Sequence, residues 1–243
     1  MIQRLYTRKS DINPIIEEAI STYQCKGVDH YTNFMHERIL VHKVKFPLLE
    51  YIASTMTKIM SFKDQLLWID AMVLRKTEGG NVIIGILLQF HLHKNYTFAF
   101  EKAKTVIADG DAWYVADLIG ERVFGVGLLV DFDAGYSLFH TFGQRGNFWV
   151  KRALGAGAHY AIKKNLEGEK VEQIFRWLLG MTEDKNYQVK QGIGWAAKTT
   201  AKFHPNIITK YKAMIDASKT PQWFQKKIEI GLNRHAYASR KRG

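Results

Sequence analysis

Apolar residues recur along most of this chain at intervals of three and four positions, which is the spacing of one helical face. Between residues 10 and 23, for example, Ile16, Ala19 and Ile20 share such a face, and Pro14 stands in the first turn, where a helix accommodates proline. Alternation of apolar and polar residues, the pattern of a half-buried strand, is scarce. The pattern therefore predicts an all-α protein of about thirteen short helices.

Capping residues, glycines and prolines set the bounds of the predicted helices. Ser61 and Asp64 form a capping box, and Pro205 stands in the first turn of a later helix. Breaks are expected at Gly79-Gly80-Asn81 and at residues 125–127, where glycines cluster. After the first helix, which follows Ser10 and Asp11, the predicted helices cover residues 29–44, a segment beginning at Phe46-Pro47, and residues 61–74, 82–91, 97–108, 113–124, 133–144, 148–164, 167–181, 182–201, 205–217 and 221–237.

Residues 82–91 are the one ambiguous segment. Their β-branched residues and continuous apolar run also fit a buried strand. Leu87, Leu88 and Phe90 nevertheless continue the helical spacing, and no partner strand is visible in the sequence. We therefore predict a helix here.

The predicted helices pair into units of about 35–45 residues, the length of HEAT or armadillo repeats, which stack into a solenoid with a concave face. No recurring motif marks the repeat, and an irregular helical bundle would give much the same pattern. At 243 residues, the chain is predicted to form a single HEAT-like repeat domain over residues 1–243, with two closely packed halves as the alternative.

Residues 109–117 combine a predicted helix start with a tryptophan and an acid. Asp109 or Asp111 is expected to cap the helix, and Trp113 and Asp117 then lie one turn apart on the same face. Taken alone, this pattern is more often a core anchor beside a solvated acid than a functional pair.

The charge of the chain is strongly uneven. The net charge is +12, and residues 185–243 hold thirteen Lys or Arg but only Asp216 and Glu229 as acids. A basic surface of this kind points to a polyanion, most simply nucleic acid, with an anionic membrane or a merely solvated surface as alternatives.

Other features narrow the class of protein. The single Cys25 excludes an internal disulfide and a cysteine-based metal site. His91 and His93 are two positions apart and so lie on different helical faces, which does not suit a metal site. Residues 1–11 lack an apolar signal stretch, and no apolar run approaches the ~20 residues of a membrane span. We expect a cytoplasmic protein without metal or cofactor.

Four motifs together resemble a known family, the HEAT-like alkylpurine DNA glycosylases of the AlkD type, over about residues 46–211. The motifs are Phe46-Pro47-Leu48-Leu49, Trp113-x-x-x-Asp117, Asn147-x-Trp149-x-x-Arg152, and Gly194-Trp195 followed by Lys198 and Pro205. The resemblance implies a HEAT-like solenoid with a basic concave face that excises cationic N3- or N7-alkylated purines from double-stranded DNA.

The resemblance also implies roles for individual residues. Trp113, Asp117, Arg152 and Trp195 would line the DNA-binding surface at the lesion, with no cofactor and no metal. The protein would act as a monomer associated with the nucleoid. The basic residues expected to contact DNA are Lys151, Lys190, Lys198, Lys202, Arg240, Lys241 and Arg242.

The chain departs from the family pattern at three points. Ala112 stands where active members often carry an aromatic, Leu49-Glu50 replaces a usual glycine, and Lys198 replaces a usual arginine. Relatives that keep the fold without glycosylase activity bind branched DNA, so a non-catalytic DNA binder is the first alternative. An armadillo-type protein scaffold is the second.

Overall fold

The computed structural model describes residues 3–144, 146–216 and 220–241, and these residues are almost entirely helical. The prediction of an all-α protein is confirmed. The strands in the described part are two pairs of residues, β1 (Leu5–Tyr6) and β2 (Lys43–Val44), which pair in parallel. The chain divides into two compact units, Met1–Gly110 and Asp111–Gly243. A single domain over the whole chain stays a prediction.

The first unit contains six α-helices in its described residues, and a π-helical turn, His36–Leu40, follows the second. The predicted capping box is confirmed in part: Ser61 is the N-cap residue, and its Oγ accepts a hydrogen bond from the Asp64 amide at 3.1 Å, but the Asp64 carboxylate accepts from Ser61 Oγ where a capping box would use the Ser61 backbone N–H. The helices are α1 (Lys9–Lys26), α2 (Val28–Met35), α3 (Phe46–Ile59), α4 (Phe62–Val73), α5 (Glu78–Leu92) and α6 (Tyr96–Gly110).

Helix α5 confirms that residues 82–91 are helical and corrects the position of the break before them. Nearly all of α5 is buried, which explains a continuous apolar run without a polar face. Gly79-Gly80-Asn81 do not separate two helices, as predicted, but form the first turn of α5. Thr77 caps this helix by accepting a hydrogen bond from the Gly80 amide. The preceding Lys76, with φ of 50°, makes the turn.

The second unit begins with a helix that continues without interruption through a π-helical segment. Helix α7 (Trp113–Ile119) runs through Gly120–Gly125 into α8 (Val126–Val130), so the predicted break at residues 125–127 is wrong and the helix ends at Asp131. The remaining helices are α9 (Phe132–Gln144), α10 (Phe148–Lys163), α11 (Gly168–Gly180), α12 (Tyr187–Phe203), α13 (Pro205–Lys210), α14 (Lys212–Asp216) and α15 (Gln222–Arg240).

Two other predicted bounds in this unit are corrected. Helix α12 starts five residues later than predicted, because Asn186 caps it by accepting hydrogen bonds from the amides of Gln188 and Val189. The predicted helix 205–217 is interrupted at Tyr211, and its last residue, Ala217, lies outside the described residues.

Four helices of the second unit pack side by side in the order α7, α10, α12, α15. Their side-chain pairs join residues about one repeat apart: Asp117 with Arg152, Arg152 with Gln188, and Gln191 with Lys227. These side-chain pairs are 35 or 36 residues apart. Further along each helix pair the residue numbers of the contacts rise together, at Gly125–Gly157, His159–Trp195 and Lys202–His235, so the helices run parallel. Parallel equivalent helices at a regular spacing are the arrangement of a HEAT-like solenoid.

Glycines let these parallel helices approach closely. A Cβ on Gly155 would overlap the backbone of Gly192, and one on Gly192 would overlap the backbone of Arg152. Glycine at position 192 is therefore required by the contact between α10 and α12. This contact also fixes the position of Arg152 along the axis of α12.

Candidate active site

Helix α7 presents Trp113 to solvent at its first residue, and Asp117 follows one turn later. Trp113 is 57 % exposed, which is unusual for a tryptophan. Neither predicted cap is used: Asp109 lies within α6, and Ala112 is the N-cap residue, without a side-chain bond. Asp111 instead accepts a hydrogen bond from the indole nitrogen of Trp149 at 2.6 Å.

That hydrogen bond ties the start of α7 to α10. Trp149 is only 8 % exposed, so its predicted place in the core is confirmed. Asn147 caps α10 by accepting a hydrogen bond from the Trp149 amide at 2.7 Å. The start of α10 is therefore fixed at both the backbone and the side chain of Trp149. Arg152, one turn further along α10, projects from this fixed start.

Arg152 is the centre of a cluster formed by Trp113, Asp117, Arg152 and Gln188. Its Nε donates to Asp117 Oδ1 at 2.8 Å and its Nη2 donates to Oδ2 at 2.7 Å, a bidentate ion pair. Its Nη1 donates to Gln188 Oε1 at 2.7 Å. The guanidinium carbon lies 5.7 Å from the centre of the Trp113 ring, within cation–π distance. Three helices therefore converge on one guanidinium.

The cluster retains hydrogen-bonding capacity for a ligand. A guanidinium carries five N–H groups, and three of those on Arg152 are used, which leaves two without a partner in the described part of the chain. Each oxygen of Asp117 accepts one hydrogen bond from Arg152 and keeps a further lone pair. The side chains of Arg152 and Asp117 are 12 % and 15 % exposed, so only a small part of the ion pair is accessible to a ligand.

A second carboxyl group lies beside the cluster. Glu121 follows Asp117 by four residues, in the π-helical segment. Burial raises the pKa of Glu121, the nearby Asp117 raises it further, and Lys163 and Arg122 oppose the shift. The site therefore combines two carboxyl groups with the positive charge of Arg152.

Trp195 lies outside this cluster and stacks on His159. The two rings are 4.0 Å apart at an interplanar angle of 23°. Thr199 Oγ1 donates to the Trp195 carbonyl at 2.9 Å, so it accepts from His159 Nδ1, 2.6 Å away. Burial, with help from Lys163 and Lys198, lowers the pKa of His159 to about 4. His159 is therefore neutral near pH 7 and holds Trp195 as one side of an aromatic stack.

The Arg152 cluster and the His159–Trp195 stack lie at two positions along the same pair of helices, α10 and α12. Arg152 and His159 are seven residues apart on α10, and their partners Gln188 and Trp195 are seven residues apart on α12. Seven residues correspond to about 10 Å along a helix. The structure thus brings Trp113, Asp117 and Arg152 together and places Trp195 about two turns beyond them along α12.

The basic residues predicted to contact DNA occupy different environments. Lys151 pairs with Asp184 at 3.0 Å, which neutralises part of its charge. Lys190 and Lys202 lie over the rings of Trp223 and Phe203. Lys198 is half-buried between α12 and α15, and Arg240 and Lys241 are exposed at the end of α15. Arg242 lies outside the described residues.

Sequence reasoning missed the two side chains that complete these contacts, Gln188 and His159. Both are separated by 36 residues from their partners, and neither belongs to a motif. The signal that could have found them is the repeat itself: adding its spacing to Arg152 gives Gln188, and subtracting it from Trp195 gives His159.

Comparison with known families gives a match over most of the chain. The family model described as DNA alkylation repair enzyme matches residues 25–222. The chain belongs to this family. No curated protein and no solved structure gave a significant match. The matched residues include the whole Trp113–Asp117–Arg152–Gln188 cluster and the His159–Trp195 stack, whereas α15 lies almost entirely beyond them.

Two structural findings bear on other classes of site. Within the described residues, no three His, Cys, Asp or Glu side chains converge as metal ligands would. None of the helices in that part of the chain has the length and hydropathy to cross a membrane.

Proposed function

We propose that this DNA alkylation repair protein is a glycosylase that excises cationic N3- or N7-alkylated purines from double-stranded DNA. The observation that carries the proposal is the exposed Trp113 ring beside a carboxylate, Asp117, that a partly unsatisfied arginine holds in place. The cluster places three groups close together: an aromatic face, a carboxylate and a cation that can bind phosphate. These groups match the three parts of a damaged nucleotide, which are the base, the sugar and the phosphate.

The chemistry of the substrate explains why so few groups suffice. A purine alkylated at N3 or N7 carries a positive charge. When its glycosidic bond breaks, the bonding electrons move to the base, which leaves neutral and needs no general acid. The positive charge passes to the sugar as an oxocarbenium-like centre. Water then adds to C1′ and gives up a proton, which leaves a hydroxyl at that carbon.

Asp117 is the group proposed to stabilise the sugar cation. A carboxylate ~4 Å from a unit positive charge, at an effective dielectric constant of ~20, interacts with it by about 4 kcal/mol. If two thirds of this energy arises only in the transition state, it accelerates the reaction ~10²-fold. Asp117 can also accept the hydrogen bond of the attacking water through its remaining lone pairs.

The ion pair with Arg152 does not cancel this role once DNA is bound. The two remaining N–H groups of Arg152 can donate to a phosphate. A bound phosphate offsets the positive charge of the guanidinium, so the negative charge of Asp117 is again available to the sugar. In this account the substrate itself supplies the anion that completes the site.

The two tryptophans are proposed to bind the flat or cationic parts of the nucleotide. Trp113 offers an exposed face that can meet a cationic base or the deoxyribose. Trp195 is held by His159 on one side, so only its other face is available to DNA. Lys190 of α12 and Arg240 and Lys241 at the end of α15 would supply contacts to phosphates along the duplex.

One observation favours the non-catalytic alternative. The bidentate pair gives Asp117 a purely structural use, which is to orient Arg152 toward phosphate. A protein that only binds branched or damaged DNA would also keep this pair. Membership of a DNA repair family supports both the glycosylase and the non-catalytic DNA binder over an armadillo-type protein scaffold.

Excision from a defined substrate tests the proposal. The full chain is incubated with a duplex that carries one N7-methylguanine, and released base is measured against the same duplex without protein. Release faster than the spontaneous rate is expected. Tight binding without release would establish the non-catalytic alternative.

A further inference from the structure

Helix α15 contributes a second positively charged surface, distinct from the Trp113–Asp117–Arg152–Gln188 cluster. It packs along α12, where Gly231 lies against the backbone of Lys198 and His235 Nδ1 lies 2.8 Å from the carbonyl oxygen of Lys202. These two contacts fix the register of the helices. Almost all of α15 lies beyond the residues that match the family, so the family match does not account for this surface.

Four cations line the junction of the two helices, which we call the α12–α15 seam: Lys198 and Lys202 from α12, and Lys227 and Arg234 from α15. Burial lowers the pKa of Lys198, and the nearby positive charges of Arg234 and Lys227 lower it further. Lys227 Nζ lies 3.4 Å from Gln191 Oε1. None of the four pairs with an acid within residues 3–144, 146–216 and 220–241.

Like charges brought together without an acid raise the electrostatic energy of the folded protein. An anion that binds across them recovers that energy, because it screens several repulsions at once. Lys227 and Arg234 are seven residues apart, or about 10 Å along the helix. This distance equals the rise of about three nucleotides of one DNA strand. The seam therefore suits a short run of phosphates.

An open cavity of about 410 Å³ lies at one end of the seam. Arg234 and Lys202 give it positive charge, and Tyr237, which is 61 % exposed, gives it an aromatic ring. Ile230, with a large exposed side chain, and Asn233 complete a mixed apolar and hydrogen-bonding lining. Cations beside an exposed aromatic ring form the type of surface that binds an unstacked nucleotide, whose base stacks while its phosphate pairs with the cations.

Lys241 Nζ lies over the Tyr237 ring, 4.9 Å from its centre. We propose that the α12–α15 seam binds a single-stranded segment of DNA, with one base stacked on the Tyr237 face that Lys241 does not cover and its phosphate between Lys202 and Arg234. A base within a duplex is already stacked on both faces, so it cannot use Tyr237 without leaving the helix. The seam therefore favours DNA in which a strand departs from the duplex over a blunt duplex. This inference does not depend on base excision at Asp117.

The test compares affinities of the full chain for a blunt duplex and for the same duplex with a single-stranded overhang of about ten nucleotides. Fluorescence anisotropy at fixed salt measures both. We expect the overhang to strengthen binding about tenfold, the effect of stacking one base. Tyr237→Ala should remove most of this increment, and Tyr237→Phe should retain it because the ring remains. Equal affinities for blunt and overhang DNA would overturn the proposal.

Charge needs its own control. Arg234→Gln and Lys226→Gln each remove one positive charge from α15, but Lys226 lines a different cavity, on the side of α13 and α14. Arg234→Gln should reduce the overhang increment severalfold, whereas Lys226→Gln should leave the ratio of the two affinities unchanged. A loss of the same size in both variants would show general electrostatics and overturn a specific site.

Two further measurements identify the source of the nucleotide and separate this proposal from the glycosylase. If the site binds a DNA strand, free AMP should not displace overhang DNA from the protein. Displacement by micromolar AMP would overturn the proposal. Binding to anionic phosphatidylserine vesicles that Tyr237→Ala abolishes would also overturn it. Excision from a blunt methylated duplex should be equal in the wild type and in Tyr237→Ala. Absent excision with an intact overhang increment would contradict only the glycosylase.

Discussion

The guanidinium of Arg152 donates two hydrogen bonds to the carboxylate of Asp117, at 2.8 and 2.7 Å, across the junction of α7 and α10. A planar fork on a planar carboxylate fixes both groups in one orientation. The third bond, to Gln188, extends this constraint to α12. One side chain therefore links three successive helices of the stack and keeps two N–H groups without a partner among the described residues.

Arg152→Ala should weaken binding to duplex DNA for every sequence and lower the salt dependence by about one phosphate contact. The slope of log affinity against log salt concentration measures this. Arg152→Lys keeps the positive charge but loses the planar guanidinium. Its salt dependence should be close to that of the wild type, while its affinity for DNA stays lower. An unchanged slope in Arg152→Ala would mean that this side chain only joins the helices.

The tryptophans should separate into functional and structural groups. Trp149→Ala removes a buried ring and its hydrogen bond to Asp111, so we expect a loss of ~3–5 kcal/mol in the free energy of unfolding. Trp113→Ala removes an exposed ring, and its loss should be near ~0.5 kcal/mol while DNA binding or excision falls. Urea denaturation measures both. Equal losses would assign Trp113 to the protein interior.

The close approach of α10 and α12 predicts a sharp contrast between two glycines. Gly192→Ala places a methyl group against the backbone of Arg152, so we expect a loss of about 2–3 kcal/mol and a displaced Arg152. Gly180→Ala, at the end of α11, meets open space and should be neutral or slightly stabilising. Thermal denaturation of the two variants checks this. Similar melting temperatures would contradict the packing described for α12.

The buried His91 and the half-buried His159 predict how stability depends on pH. Burial lowers the pKa of His91 and of His159 to about 4 in the folded state, against about 6.5 for an unfolded chain. Between these values the unfolded state binds more protons, so stability is complete above pH 6.5 and falls as pH drops toward 4. We expect each histidine to cost roughly 1–2 kcal/mol between pH 7 and pH 5.

His91 isolates this effect, since neither of its ring nitrogens has a hydrogen-bond partner among the described residues and its ring packs edge-on against Phe62. His91→Phe keeps an aromatic ring and cannot be protonated. Its stability should therefore change less between pH 7 and pH 5 than that of the wild type, measured by urea denaturation at the two values. An identical loss in both proteins would place the titrating groups elsewhere.

The sequence predicted the fold better than it predicted the site. Helical spacing and caps such as Ser61 located most helices, and Trp113 and Trp149 were correctly separated as exposed and buried. Errors arose where a glycine lay within a helix: Gly79 and Gly125 predict breaks, but both are buried and allow close packing instead. A glycine needed for close approach and one that ends a helix look alike in a sequence.

The pairing of site residues depends on contacts between repeats, which no local pattern records. Trp113 and Asp117 were placed together because they are one turn apart on a single helix. The sequence did not indicate that Arg152 would bind Asp117 or that His159 would stack on Trp195. Those contacts depend on the register that glycines such as Gly155 and Gly192 impose.

The central claim is that the negative charge of Asp117 stabilises a sugar cation, and single-turnover excision by Asp117→Asn tests it most directly. The substitution keeps the shape of the side chain and removes the charge. With saturating protein and a duplex containing one N7-methylguanine, the excision rate should fall ~10²-fold or more, while DNA affinity stays within a few-fold because Arg152 keeps its own charge. A variant that binds DNA and excises the base at the wild-type rate would contradict the account.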